Sequence, residues 1–327
     1  MSSFVSLMQA AIYFGTVIMF GSVGETLTEK SGNLNLGVPG IMYLGGIASL
    51  TGAFFYERSV ENPNAIVCVL IAFLCAFLAS ALGGLIYSFL TITLRANQNV
   101  TGLALTIFGS GVGNFFGGSL NKLAGGVGQI SVSATSNAYR ANIPALAELG
   151  TFGDLFFSYG FLVYVAILAA ILMQRFLNHT RVGLNLRAVG ENPGTADAAG
   201  INVTLYKYLA TCIGAGITGL GGLYYVMDYI KGTWANDGTI EGLGWLAVAL
   251  VIFTTWKPVN AIWGAYLFGI LYWMNYYMSG LNRYSQELCK MLPYVITIIV
   301  LIFTSLRKKK EDQPPQNLGL AYFREER

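Results

Sequence analysis

Apolar runs long enough to cross a membrane alternate with short polar segments along nearly the whole chain. Residues 4–24 form the first, and no charged side chain precedes Glu25. A bilayer core of about 30 Å takes about 20 apolar residues of helix to cross. Neither a basic start nor a cleavage site marks this run, so it reads as a span and not as a secretory signal. Further runs follow at residues 37–55, 65–94, 100–118, 155–176, 208–229, 243–256, 261–279 and 292–306. The pattern predicts an all-α, polytopic integral membrane protein with about nine transmembrane helices, within a range of about eight to ten. The run at 37–55 is expected to be broken, because Pro39 and Gly40 interrupt it early; a simple span with Pro in its first turn fits the same residues.

Small residues refine this picture. Gly109, Gly113 and Gly117 recur every fourth position and share one helix face, which predicts a tight helix contact. Gly214, Gly216 and Gly219 spell GxGxxG, but inside an apolar span, where no strand precedes them as a dinucleotide fold requires. Close helix packing is the expectation there. No Gly is followed by Lys, so the chain has no phosphate-binding P-loop and no ATP site of the usual kind.

Composition agrees: 54% of residues are hydrophobic and 11% charged, against about a quarter charged in soluble proteins. Cys68, Cys75, Cys212 and Cys289 lie in or beside apolar runs without metal-ligand spacing. His179 is the only histidine, which excludes an HExxH zinc site and a histidine-based triad. No nucleic-acid partner is expected. Residues 1–306 read as one transmembrane domain and 307–327 as a polar tail. Placing Arg307, Lys308, Lys309 and Lys310 in the cytoplasm puts Lys30, Arg95, Arg181, Arg187 and Lys257 on the same side. The N-terminus then lies outside, and the basic tail meets membrane lipid.

The longest polar excursion on that basic side is the loop at 178–206. Asn192 is a good helix cap, Pro193 is pre-set for the first helical position, and Gly200 suits a left-handed stop. A helix of about two turns follows, too short to be stable alone, so the membrane helices or a partner must hold it. On spacing alone, an ordinary loop between spans fits equally.

The run RAVGENP followed by AAGI resembles the main cytoplasmic loop of bacterial ABC transporter permeases of the branched-chain amino acid and simple-sugar type. SGNLNLGVPGIM, the stretch around GWLAVALVIFTTWKPVNAIWGAYLFG, and MLPYVITIIVL with its basic tail resemble the nucleoside or simple-sugar branch. The chain departs from that pattern at Pro39 and Ala321. The resemblance implies a subunit of an importer in the bacterial plasma membrane, with no cofactor of its own. ATP and magnesium would sit on separate ATPase subunits. A second, related permease and an extracytoplasmic substrate-binding lipoprotein would complete the assembly. It further implies that the loop carries a coupling helix docking on the ATPase, with Arg187, Gly190, Glu191, Asn192, Pro193 and Ala196 as the coupling residues.

Candidate path residues are amides and aromatics in or near spans: Asn97, Gln98, Asn99, Asn114, Tyr224, Tyr225, Trp245, Asn275 and Tyr276. Amides bond to hydroxyls and base edges, and flat rings stack on sugars or bases. An uncharged site of this kind suits a nucleoside or simple sugar. A branched-chain amino acid permease and an ion-driven carrier are the alternatives. For the carrier, Asp228 is the one candidate buried carboxylate, and an interfacial anchor near Lys231 is its other reading.

Overall fold

In the computed structural model, the described residues are 3–123, 125–126, 130–141, 150–277, 282–307 and 312–324. Glycine decides which helices meet. The helix α10 (Val203–Tyr224) continues into a π-helical turn, Tyr225–Tyr229, and packs on α1 (Ser3–Lys30), α2 (Val38–Ser59) and α3 (Ala65–Ser88). A Cβ added at Gly214 would lie 2.6 Å from the Gly24 carbonyl oxygen, and one at Gly45 would lie 2.6 Å from Gly219 Cα. The backbones of α1, α2 and α10 therefore touch directly, as small residues allow in membrane bundles. On the outer side of α2 lies α4 (Gln98–Leu123), whose glycine row behaves as its spacing predicts. A Cβ at Gly109 would sit 2.5 Å from Gly40 Cα, and one at Gly113 would sit 2.7 Å from the Tyr43 ring.

Short helices α5 (Ser133–Tyr139) and α6 (Gly150–Phe156) occupy part of the segment expected to be a polar loop. Then come α7 (Phe161–His179), α8 (Arg181–Glu191) and α9 (Pro193–Ala198) before α10. After it follow α11 (Thr239–Phe253), α12 (Asn260–Tyr277), α13 (Arg283–Lys290) and α14 (Leu292–Arg307). No strand forms among the described residues beyond one isolated bridge, Ser131 to Thr233. The four cysteines are free.

Among the described residues, six helices are long and apolar enough to cross a membrane, or seven if α13 and α14 form one bent span. The nine apolar runs exceed that number because α11, with 15 residues, reaches only about 22 Å, and α12 interleaves its apolar residues with Asn260 and several tyrosines and tryptophans. The break expected at 37–55 is absent. Pro39 sits in the first turn of α2, where its missing N–H is harmless, and the helix runs unbroken. The bend lies instead between Tyr284–Lys290 and Leu292–Phe303, at 43°, where Pro293 removes a backbone donor at the junction.

The first helix also outlasts its apolar run. No breaker separates Gly24 from Lys30, so the turn carrying Glu25 and Glu29 stays helical and enters the bundle, 1% and 2% exposed. Glu25 accepts from the Asn35 backbone N–H at 3.2 Å and fixes the 31–37 turn. Glu29 accepts from the Trp256 indole N–H. Trp256→Phe leaves that carboxylate without this donor and is expected to cost about 2 kcal/mol. A depressed Tm in detergent, partly restored by adding Glu29→Gln, is the outcome that checks it; an unchanged Tm in the single variant contradicts it.

Candidate coupling surface and candidate path

The loop between α7 and α10 folds as an elbow. Thr180 opens α8: its hydroxyl accepts from Gly183 N at 3.0 Å. Gly183, Leu186, Val189 and Gly190 are buried, at the three- and four-residue spacing of one helix face. Arg181, Arg187 and Glu191 lie on the exposed face. Gly190 rests on the end of α1, with a Cβ there only 3.0 Å from the Lys30 carbonyl carbon. Asn192 ends α8 and starts α9, and its Oδ1 accepts from Thr195 N at 2.9 Å. Pro193 follows at the first helical position, and Gly200 leaves the helix with φ +83°. Asn202 caps α10 through Leu205 N at 3.0 Å.

Beneath the elbow, Val189 of α8, Ala196 of α9 and Val203 of α10 form one apolar cluster, joined by Ile201, Tyr206 and Tyr322. The six expected coupling residues thus share one structure with two roles. Gly190, Pro193 and Ala196 are buried and hold the elbow together, whereas Arg187, Glu191 and Asn192 face outward. Arg187 donates to Asn178 at 3.1 Å.

The tail is part of the same surface, which composition did not reveal. Asp312 pairs with Lys257 at 2.6 Å. Asn317 N donates to the Gly190 carbonyl at 3.0 Å, and Gly319 N to that of Gly32 at 3.2 Å. Tyr322 and Arg324 both reach Asp197 of α9, at 3.0 and 3.1 Å. Residues 308–310, which with Arg307 are expected to meet membrane lipid, lie outside the described set, as does the side chain of Arg307.

The expected path residues do not converge. Asn97 caps α4, accepting from Val100 N at 3.1 Å, and Gln98 clamps Leu34 N at 2.6 Å, both at the elbow end. Asn99, Asn114 and Tyr276 are exposed. Trp245 borders an apolar groove with Tyr294 and Ile298. The side chain of Asn275 lies outside the described set. Tyr224 and Tyr225 are buried toward the far end of α10, where Tyr225 stacks on Tyr229 at 5.4 Å.

That far end holds the more suggestive cluster. Asp228 sits in the π-helical turn, 3% exposed, and neither carboxylate oxygen has a hydrogen-bond partner among the described residues. The hydroxyl of Tyr159 is equally without a partner there. Burial, together with neighbouring Tyr13, pushes the Tyr159 pKa up, so its hydroxyl stays neutral and available to donate. A cavity of 300 Å³ is lined by Tyr13, Arg140, Asp228, Tyr229, Lys231 and Trp273. Lys231 shares this cavity with Asp228, but no ion pair joins them. A carboxylate and two cations framed by aromatic rings can orient a small polar solute. Sequence reading singled out Asp228 but not Tyr13, Tyr159 or Trp273, because isolated aromatics in apolar runs carry no signal of which face they occupy. No group of His, Cys, Asp or Glu among the described residues is arranged to hold a metal.

Comparison with known proteins matches residues 7–301 to the profile described as branched-chain amino acid transport system / permease component. The chain is 31% identical to a putative glucose ABC transporter permease protein of Haloferax volcanii, over 94% of each chain. It is also 31% identical to a nucleoside ABC transporter permease protein of Lactococcus lactis, over 89% of each. A guanosine ABC transporter permease protein of Bacillus subtilis is 29% identical over 90% of each. No solved structure matches. With the family profile covering nearly the whole helical bundle and no P-loop in the sequence, the chain belongs to the permease components of the branched-chain amino acid transport system family, a multi-pass membrane protein that is not itself an ATPase.

Proposed function

We propose that this chain is the membrane-spanning subunit of an ABC importer for nucleosides, driven by separate ATPase subunits that dock on the elbow. In this reading α11, short as it is, crosses where the bilayer thins around it, and with α12, the bent pair and the six long helices the bundle crosses the membrane nine times. The elbow and tail then face the cytoplasm, and Asp228 lies toward the outside. A substrate-binding protein delivers the solute there, and a second permease, related to this chain, supplies the other half of the path.

The observation that carries the reading is the elbow itself: a capped short helix with its apolar side buried and Arg187, Glu191 and Asn192 presented outward. Such an element can transmit a rigid movement from an ATPase to α10. Nucleosides are favoured by the aromatic frame around Asp228 and by the nucleoside and guanosine permeases among the similar proteins. Rings stack on a base, and a carboxylate accepts from its amino group or from a ribose diol.

One observation supports a second reading. Asp228 faces the same cavity as Arg140 and Lys231, a pairing that would neutralise both ends of a zwitterion, so a branched-chain amino acid is the competing substrate. The deciding experiment is uptake of labelled guanosine and uridine, beside glucose, galactose and leucine, in cells expressing this chain with its partner subunits. Nucleoside uptake that disappears when the ATPase is inactivated is expected. Uptake of leucine alone overturns the substrate, and uptake indifferent to the ATPase overturns the importer.

A further inference from the structure

Behind the elbow lies a recess of 440 Å³ that neither coupling nor the path requires. Its wall is assembled from Asn33, Arg95 beyond the π-helical turn Phe89–Thr93 that follows α3, Gln98 of α4, residues 200–204 with Lys207, and residues 320–322 of the tail with Arg324. That volume falls within the range of small-molecule sites.

Among the described residues the charges of this wall do not balance. Lys207, Arg95 and Arg324 line it with one acid, Asp197, which already accepts from Arg324 and Tyr322. Lys207 is 3% exposed and makes no hydrogen bond or ion pair among the described residues. An ammonium group buried without a counter-charge costs several kcal/mol, roughly, unless something completes it. Asn33 is fully buried: its amide donates to Thr211 at 2.9 Å, while its Oδ1 has no partner among the described residues. At the rim, the Arg95 guanidinium lies 4.5 Å over the Phe323 ring, on a backbone held at φ +58°. A non-glycine residue held there is strained, and the stacking fixes its charge in place. Residues Val203 and Thr204 add the first turn of α10, whose backbone N–H groups favour an anion.

The wall thus offers two uncompensated cations and a helix N-terminus for an anion, and one buried oxygen for a donor. We infer that this recess binds a phosphate ester bearing hydroxyl groups, the phosphate held by Lys207 and Arg95 and a hydroxyl by Asn33 Oδ1. Both cations are suited to phosphate, Arg through its planar fork and Lys as a point charge. Lys207 lines the recess while almost wholly buried, so a small group reaches it and a flat protein surface does not. Occupancy joins the tail, α9 and the start of α10 around one ligand, and so stiffens the elbow. Two sources supply this chemistry: a soluble sugar phosphate, and the headgroup of phosphatidylglycerol.

The test uses the full chain in phosphatidylcholine nanodiscs, with labelled ribose 5-phosphate as the probe and Tm as a second readout. Saturable binding, competed by unlabelled ribose 5-phosphate but not by ribose, is expected, at least tenfold weaker in Lys207→Met and Arg95→Gln. That result identifies a soluble ligand. No ribose 5-phosphate binding, but a Tm raised by adding phosphatidylglycerol in the native chain and not in the two variants, identifies the lipid. Without ligand, Lys207→Met should melt no lower than the native chain, since it removes a buried unpaired charge. Should that variant unfold instead, Arg95→Gln, on the exposed rim, decides alone. Neither ribose 5-phosphate binding nor a variant-sensitive lipid effect overturns the proposal. None of these readouts depends on transport.

Discussion

Gly222→Leu is expected to abolish the folded protein. Gly222 faces α2 where the two backbones are in contact: an added Cβ would overlap the Met42 carbonyl oxygen and lie 2.8 Å from Gly46 N. These are main-chain atoms in the middle of a helix, so no side chain can swing away to make room. Inserting extra atoms into a packed core typically costs about 1–3 kcal/mol. Here the remaining carbons of leucine add to a backbone overlap, and the cost should exceed about 3 kcal/mol, a large share of ordinary folding stability. The helix affected is also the one on which α1, α2 and α3 all pack. The measurement is size-exclusion chromatography of the detergent-extracted chain, where the native protein runs as one sharp peak and the variant is lost or aggregated. Gly111→Leu is the control, because nothing lies within 4 Å of an added Cβ there. A sharp peak from Gly222→Leu would mean that α2 and α10 do not approach as described.

What the sequence disclosed follows from which interactions have a period. The Gly109, Gly113 and Gly117 row was legible because a four-residue repeat places all three on one face, and that face meets α2 and Trp234. Asn192 and Pro193 were legible as a helix start because capping is local chemistry. The helix at 181–191 was not, since two of its buried positions are Gly183 and Gly190, which leave almost no hydrophobic signal. The path of the tail was invisible for a related reason. Asn317 and Gly319 hold it through backbone N–H groups, which every residue except proline possesses. Pro39 shows the reverse case. It signalled a break, but the helix starts only one residue before it, where proline fits. The cluster around Asp228 gathers side chains from helices far apart in the chain, and no spacing rule reports that.

Asn192→Ala is expected to lower uptake, by at most about fivefold, while ATP hydrolysis continues. The side chain supplies the one capping bond of α9, from Thr195 N at 2.9 Å, and losing a cap of this kind costs about 1 kcal/mol. In a long helix that cost would be absorbed. The helix α9 spans only Pro193–Ala198 and has little cooperative stability of its own, so about 1 kcal/mol corresponds to about a fivefold fall in the ratio of ordered to frayed elbow. With the ATPase docked on the elbow as proposed, a frayed elbow would still touch it but transmit less of its movement, so the ratio of solute moved to ATP hydrolysed would fall. Asn192→Asp retains a capping oxygen and should retain coupling, which separates the cap from the identity of the side chain. Adding Glu191→Ala should deepen the loss, because Glu191 also meets Gln316 N of the tail at 3.5 Å. Uptake and hydrolysis are measured together in vesicles holding the complete complex. Normal uptake by the double Ala variant would show that the elbow does not carry the coupling. Loss of uptake and hydrolysis together would show that the elbow secures ATPase docking and does not only transmit its stroke.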